Sequence, residues 1–189
     1  MILASQSPRR IELMREAGYD FRVIPADIDE TAMPDETPLE LVARLSIAKA
    51  RAVAALHAEP NETVIAADTI VTLDGELLGK PHDSDDARRM LRELSGRTHQ
   101  VATGVCIVRK EGDNFAQESF VDSTDVAFYE LTDVEIDAYV ASGEPADKAG
   151  AYGIQGVGGR MLVRKIDGDF YNVVGLPIAR VARALKAFV

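Results

Sequence analysis

The chain has 189 residues, 47% of them hydrophobic and 28% charged, which is globular composition with enough apolar material to bury a core unaided. Its net charge of −10 argues against a broad nucleic-acid surface but leaves room for a small anionic ligand where cations or a metal are concentrated. A lone Cys106 in an apolar run reads as core and points to a reducing compartment, no apolar stretch reaches the ~20 residues that span a bilayer, and no signal peptide is expected, so the predicted setting is cytoplasmic, away from membranes.

Helical and strand patterns alternate along the chain, which predicts an α/β fold. Residues 2–5 read as a first strand. Ser7-Pro8 opens a helix, with serine as cap and proline at the first helical position, and Gly18 ends it. Residues 21–24 form a short strand, followed by the acidic loop Asp27-Ile28-Asp29-Glu30. Thr37-Pro38-Leu39-Glu40 is a capping box, and Leu41, Val42, Leu45 and Ala48 mark one face of its helix. Residues 64–68 read as a buried strand, and Asp74-Gly75 as the turn of a hairpin. Ser84 is expected to cap a helix carrying Ala87, Met90, Leu91 and Leu94. Two long strands near 101–108 and 120–128 are expected to pair through the polar turn Glu111-Gly112-Asp113-Asn114. Thr132-Asp133-Val134-Glu135 is a second capping box, and 161–166 a further strand. A helix with Ile178, Val181, Ala182 and Leu185 closes the chain.

Several constellations carry chemistry. Ser5-Gln6-Ser7-Pro8-Arg9-Arg10 puts two arginines in the first turn of a helix. The free N–H groups, the dipole and the guanidinium donors there suit a phosphate. Arginine opposes the dipole at that end, so the placement costs stability unless an anion arrives; two solvated arginines are the alternative. Ala66-Ala67-Asp68-Thr69 reads as an apolar strand ending in a carboxylate and a hydroxyl, and α/β sheets bind ligands beyond such ends. Asp68 there can hold a divalent cation, take a proton from water, or simply start a turn. Gly75-Glu76-Leu77-Leu78-Gly79-Lys80-Pro81 is not a P-loop, because its glycines are too close and Pro81 stands where a hydroxyl must bind magnesium. Lys80 can still meet a phosphate as a point charge. In the glycine-rich segment 143–156, backbone can approach a ligand closely and Gln155 has the paired donor and acceptor that read a base edge. His57, His82 and His99 lack metal-ligand spacing, and Asp133, Glu135 and Asp137 read as a solvated helix face. Asp167-Gly168-Asp169 reads as a turn.

In order along the chain, Leu3-Ala4-Ser5-Gln6-Ser7-Pro8-Arg9-Arg10, Ala67-Asp68-Thr69, Gly79-Lys80-Pro81, Leu94-Ser95-Gly96, His99, Thr103-Gly104-Val105, the loop to Gly156 and Asn172-Val173-Val174-Gly175-Leu176-Pro177 closely resemble the Maf family, the septum-formation-inhibitor-like proteins. The resemblance runs from Leu3 to the last helix and implies a single domain over 1–189. It implies a twisted mixed β-sheet with flanking helices and a long cleft between two lobes, as in inosine triphosphate pyrophosphatases. It also implies a cytoplasmic homodimer that uses Mg²⁺ or Mn²⁺ to cut a nucleoside triphosphate into a monophosphate and pyrophosphate. Asp68 falls on the family's catalytic base, and Arg9, Thr69 and Gln155 on positions tied to substrate choice. Arg10, Glu30, Lys49 and Lys80 match polar positions of the cleft. The combination resembles the subgroup acting on dTTP and UTP. The expected chemistry is in-line attack of water on the α-phosphorus. In it Asp68 serves as base or metal ligand, Glu30 as a second carboxylate for metal, and Arg9, Arg10 and Lys80 stabilise charge. The rivals are a nucleotide-binding regulator of cell division with little turnover, and a phosphatase that removes the terminal phosphate.

Overall fold

A computed structural model describes residues 1–112 and 114–188. The chain divides into two compact units. One consists of Met1–Asp68, Thr103–Asp122 and Gly175–Val189, the other of Thr69–Ala102 and Ser123–Val174. The strands β1 (Ile2–Leu3), β2 (Arg22–Val23), β3 (Thr63–Leu73), β4 (Glu76–Leu78), β5 (Thr98–Glu111), β6 (Asn114–Phe128) and β7 (Val163–Asp167) form one mixed sheet in the order β2-β1-β3-β5-β6-β7, with β4 on β3.

In the first unit, β1 (Ile2–Leu3) runs parallel to β2 (Arg22–Val23) and to β3 (Thr63–Leu73), with Ile2 opposite Val64 and Leu3 opposite Ile65. Both β1 residues are fully buried, so the chain enters the sheet at its core and leaves it towards α1 (Pro8–Glu16). Helix α2 (Pro38–His57) begins at the expected capping box: Thr37 accepts from Glu40 N–H, and the Glu40 side chain accepts from Thr37 N–H. Its buried face is set by Val42, Leu45, Ser46, Lys49 and Val53, at helical spacing; Ala48, expected on that face, is only half-buried. α2 lies so close to β5 (Thr98–Glu111) that a Cβ at Gly104 would overlap the Val42 carbonyl oxygen. Ile2, Ala50, Val53, Val64, Cys106 and Val108 pack in one core cluster. Burial pushes the Cys106 thiol up to about 12, so it behaves as an inert small hydrophobe. Helix α6 (Ile178–Ala184) completes this unit.

In the second unit, β3 continues into β4 (Glu76–Leu78) through Asp74 and Gly75, both at positive φ (53° and 85°). Two consecutive left-handed residues make the turn whose twist suits a hairpin. Helix α3 (Ser84–Leu94) is capped by Asp83, which accepts from Asp85 and Asp86 N–H; the expected cap, Ser84, is its first helical residue. A carboxylate also complements the dipole where a serine would not. Helix α4 (Asp133–Ala141) has its expected capping box. Asp133 and Asp137 pair with Arg92 and Arg88 of α3 rather than facing only water. β6 (Asn114–Phe128) follows β5, and β7 (Val163–Asp167) pairs antiparallel with its end. Asp113, in the turn expected between β5 and β6, lies outside the described residues. α5 (Phe170–Val174) is a single short turn of helix. Among the described residues, no helix is long and apolar enough to cross a membrane.

Candidate active site

The first site residues are set by the chain leaving β1. Ser5 is buried, and its hydroxyl accepts from Ser7 N–H and from an Arg10 guanidinium N–H, each at 3.2 Å. The serine expected to cap α1 through its side chain, Ser7, makes no such bond; Ser5 satisfies that stretch of backbone instead. Arg10 Nε donates to the Gly175 carbonyl at 2.8 Å. The guanidinium is therefore held from two sides by groups far apart in sequence. Burial lowers its pKa, the negative fields of Asp68 and Glu30 raise it, and neighbouring Arg9 lowers it further. The two carboxylates offset part of the cost of placing arginine at a helix N-terminus.

Those carboxylates converge on one ammonium. Lys49 Nζ lies 2.6 Å from Asp68 Oδ1 and 2.8 Å from Glu30 Oε1. Lys49 comes from the buried face of α2, Asp68 from β3, and Glu30 from the loop after β2. The Asp68 and Lys49 side chains are 14% and 11% exposed, whereas Glu30 is 57% exposed. Asp68 does not end its strand as the sequence suggests. β3 runs on through Leu73, because Ile70 and Val71 continue its buried pattern. Asp68 and Thr69 therefore point to opposite faces of a continuous strand.

Arg9, Arg10 and Lys49 outnumber the two carboxylates by one in a chain of net charge −10, a local excess of positive charge that suits an anion. Among the described residues no group of three or more His, Cys, Asp or Glu side chains is placed to hold a metal ion. Asp68 and Glu30 are hard oxygen donors drawn to one point by the Lys49 ammonium, and with that ammonium displaced they suit a divalent ion that takes its remaining ligands from phosphate oxygens and water.

The second unit holds the other expected residues. Thr69 is half-buried, Lys80 is exposed just after β4, and Gln155 is exposed. The glycine-rich segment is not a loose connection. It folds into 3-10 turns at Glu144–Asp147, Ala149–Ala151 and Gly159–Met161. Gly150 N–H donates to the Gly79 carbonyl at 3.0 Å, which ties the segment beside Lys80. Gly150 has φ 67°, and a Cβ there would press on Val71. Tyr152 is anchored by His99, whose Nε2 lies 2.8 Å from the phenolic oxygen.

The family model described as Maf-like protein matches residues 1–188. The chain belongs to the Maf family. It is 52% identical over 186 residues to a protein named dTTP/UTP pyrophosphatase from Anaeromyxobacter dehalogenans (strain 2CP-C), covering 98% of this chain and 92% of the relative. It is 50% identical over 188 residues to a protein of the same name from Bacillus mycoides (strain KBAB4), covering 100% and 95%. Among solved structures, a nucleoside-triphosphatase / dITP/XTP pyrophosphatase from Mycobacterium abscessus ATCC 19977 / DSM 44196 aligns with a TM-score of 0.47 at 15% identity, over 100% of this chain and 97% of that one.

In this Maf chain the sequence reading passes over residues that organise the site. Ser5 and the Gly175 carbonyl aim Arg10, yet in the sequence Ser5 stands only as a member of the phosphate-suited stretch 5–10 and Gly175 only as part of a motif, neither with a role towards Arg10. The separation of 165 residues between Arg10 and Gly175 leaves no local signal. Lys49 does have one: it recurs with Val42, Ser46 and Val53 at core spacing, and a lysine on a buried face needs a partner.

Proposed function

We propose that this chain is a nucleoside triphosphate pyrophosphatase that hydrolyses dTTP and UTP to the monophosphate and pyrophosphate, and that residues 1–189 act as one domain. The observation that carries this reading is the pair Asp68 and Glu30 meeting at Lys49 beside Arg10, in a family whose relatives at about 50% identity are named for that activity.

Water attacks the α-phosphorus as the bond from that phosphorus to the α–β bridging oxygen breaks, and pyrophosphate leaves with that oxygen and the bonding electrons. Asp68 accepts the water proton. Its direction is fixed by the bond to Lys49, so the carboxylate is already oriented before substrate arrives. Arg9 and Arg10 bind phosphate oxygens and stabilise the charge that develops on them, with Arg10 pre-aimed by Ser5 and Gly175. Lys80 is a further point charge for the phosphate chain. Asp68 and Glu30 would hold a divalent cation, Mg²⁺ or Mn²⁺, which when bound neutralises and orients the phosphates. Gln155 and Thr69 set base and sugar choice. The Gln155 amide donates to one carbonyl of uracil or thymine and accepts from the ring N–H, a pattern that cytosine lacks. We extend the proposal to a cytoplasmic homodimer, to be checked by sedimentation at micromolar concentration.

The test is kcat/KM across a triphosphate panel with the phosphorus product identified, before and after chelation. UTP and dTTP should exceed CTP and the purine triphosphates, with pyrophosphate as product and activity lost on chelation. Orthophosphate as product would indicate a phosphatase, and tight UTP binding without turnover a regulator.

A further inference from the structure

The geometry points to Glu144 as the residue that positions Gln155, an inference that rests on the base-reading role proposed for Gln155. Glu144 follows α4 through Gly143, whose φ of 76° turns the chain. Its half-buried carboxylate folds back over the glycine-rich segment. Oε1 accepts from Gly158 N–H at 3.3 Å, and Oε2 from Gly159 N–H at 3.4 Å. Gly156 packs so closely on this carboxylate that a Cβ there would overlap Oε2. Tyr139, on α4, adds a second hold. Its hydroxyl accepts from Gly153 N–H at 3.1 Å, and its ring fills the space a Cβ would need at Gly158. Arg160 closes the far side, donating from NH2 to the Gln155 carbonyl at 2.8 Å and from Nε to the Gly156 carbonyl at 3.0 Å.

Backbone on both sides of Gln155 is thus tied to side chains, while the Gln155 side chain is exposed. A glycine-rich segment is costly to order, and ordering it on binding would be drawn from ligand affinity. Glu144 supplies that order in advance. Successive backbone N–H groups form a nest for an anion, and here the anion is the protein's own carboxylate. Bonds to a charged acceptor are the stronger kind. Gly156 is therefore required by the approach of Glu144, Gly158 by that of the Tyr139 ring, and Gly159 by that of the Gly153 carbonyl.

Glu144→Gln keeps the shape but turns one acceptor into a donor facing a backbone N–H. The UTP:CTP ratio of kcat/KM should fall about tenfold, mainly through KM for UTP, with kcat less affected. In a Gln155→Leu background the same change should leave the ratio where Gln155→Leu alone puts it, because the residue being positioned is gone. If Glu144→Gln does not fold, Tyr139→Phe, which removes the hydroxyl that accepts from Gly153 N–H and bonds the Glu144 side chain, takes its place with the same expectation. An unaltered ratio in the single variant, or an equal further fall in the Gln155→Leu background, overturns the positioning role alone. A Gln155→Leu protein with wild-type selectivity overturns base reading by Gln155, and this inference with it.

Discussion

A carboxylate bonded at 2.6 Å to a lysine cannot swing freely, and Asp68 is fixed in this way by Lys49. The consequence is sharpest for Asp68→Asn. The amide keeps the size and one acceptor but loses the charge and the basicity, so the strand should be undisturbed while proton transfer fails. kcat for UTP should drop on the order of 10²-fold or more, with the circular dichroism spectrum unchanged. A folded variant with near-normal kcat would remove Asp68 from the chemistry. At this scale the sequence is legible where a residue's company is local. Arg9 and Arg10 in a first turn and Asp68 in an apolar strand stand out unaided. Glu30 and Lys49 enter the sequence reading only through the family resemblance, because their meeting with Asp68 depends on how three separate segments fold.

Helix α2 is the element on which the Asp68–Lys49–Glu30 cluster depends. Its start is fixed by the Thr37–Glu40 capping box and its seat by the missing side chain at Gly104, and Lys49 lies further along the same buried face. Gly104→Ala must move either β5 or the α2 backbone at Val42, since backbone cannot yield as a flexible side chain does. Overpacking of this kind costs about 1–3 kcal/mol. A shift of α2 also draws Lys49 from Asp68, so kcat should fall together with the urea midpoint. Full activity and stability in Gly104→Ala would show that the contact is not what seats Lys49. The capping boxes and the Asp74-Gly75 hairpin are readable in the sequence because four consecutive residues decide them. Asp83 displaces Ser84 as the cap of α3 because both types compete for that position and neighbouring geometry chooses. The extent of β3 beyond Asp68 follows from sheet partners that a local pattern does not contain.

For the molecule as a whole, the buried His99 ties acid stability to the same segment that carries Gln155. His99 is 3% exposed, stacks edge-on with Phe128 and Tyr152, and has no hydrogen-bond partner at Nδ1 among the described residues. Burial pushes its pKa down from 6.5 to about 4. The unfolded chain therefore binds a proton that the folded one refuses between those values. Stability is unaffected above pH 6.5, declines as pH falls towards 4, and levels off below it. The full loss from this residue is about 3 kcal/mol. Urea unfolding at pH 7 and pH 4.5 should show a smaller acid loss for His99→Gln, which does not titrate, than for wild type. An equal loss in both would place the acid sensitivity elsewhere.

Attack of water at the α-phosphorus is decided by hydrolysis of UTP in ¹⁸O-labelled water. The label is located by mass spectrometry of the products. The expected result is ¹⁸O in UMP and none in pyrophosphate. Label in pyrophosphate would mean attack at the β-phosphorus, and label in orthophosphate loss of the terminal group; either result would contradict the mechanism proposed for Asp68 and its neighbours.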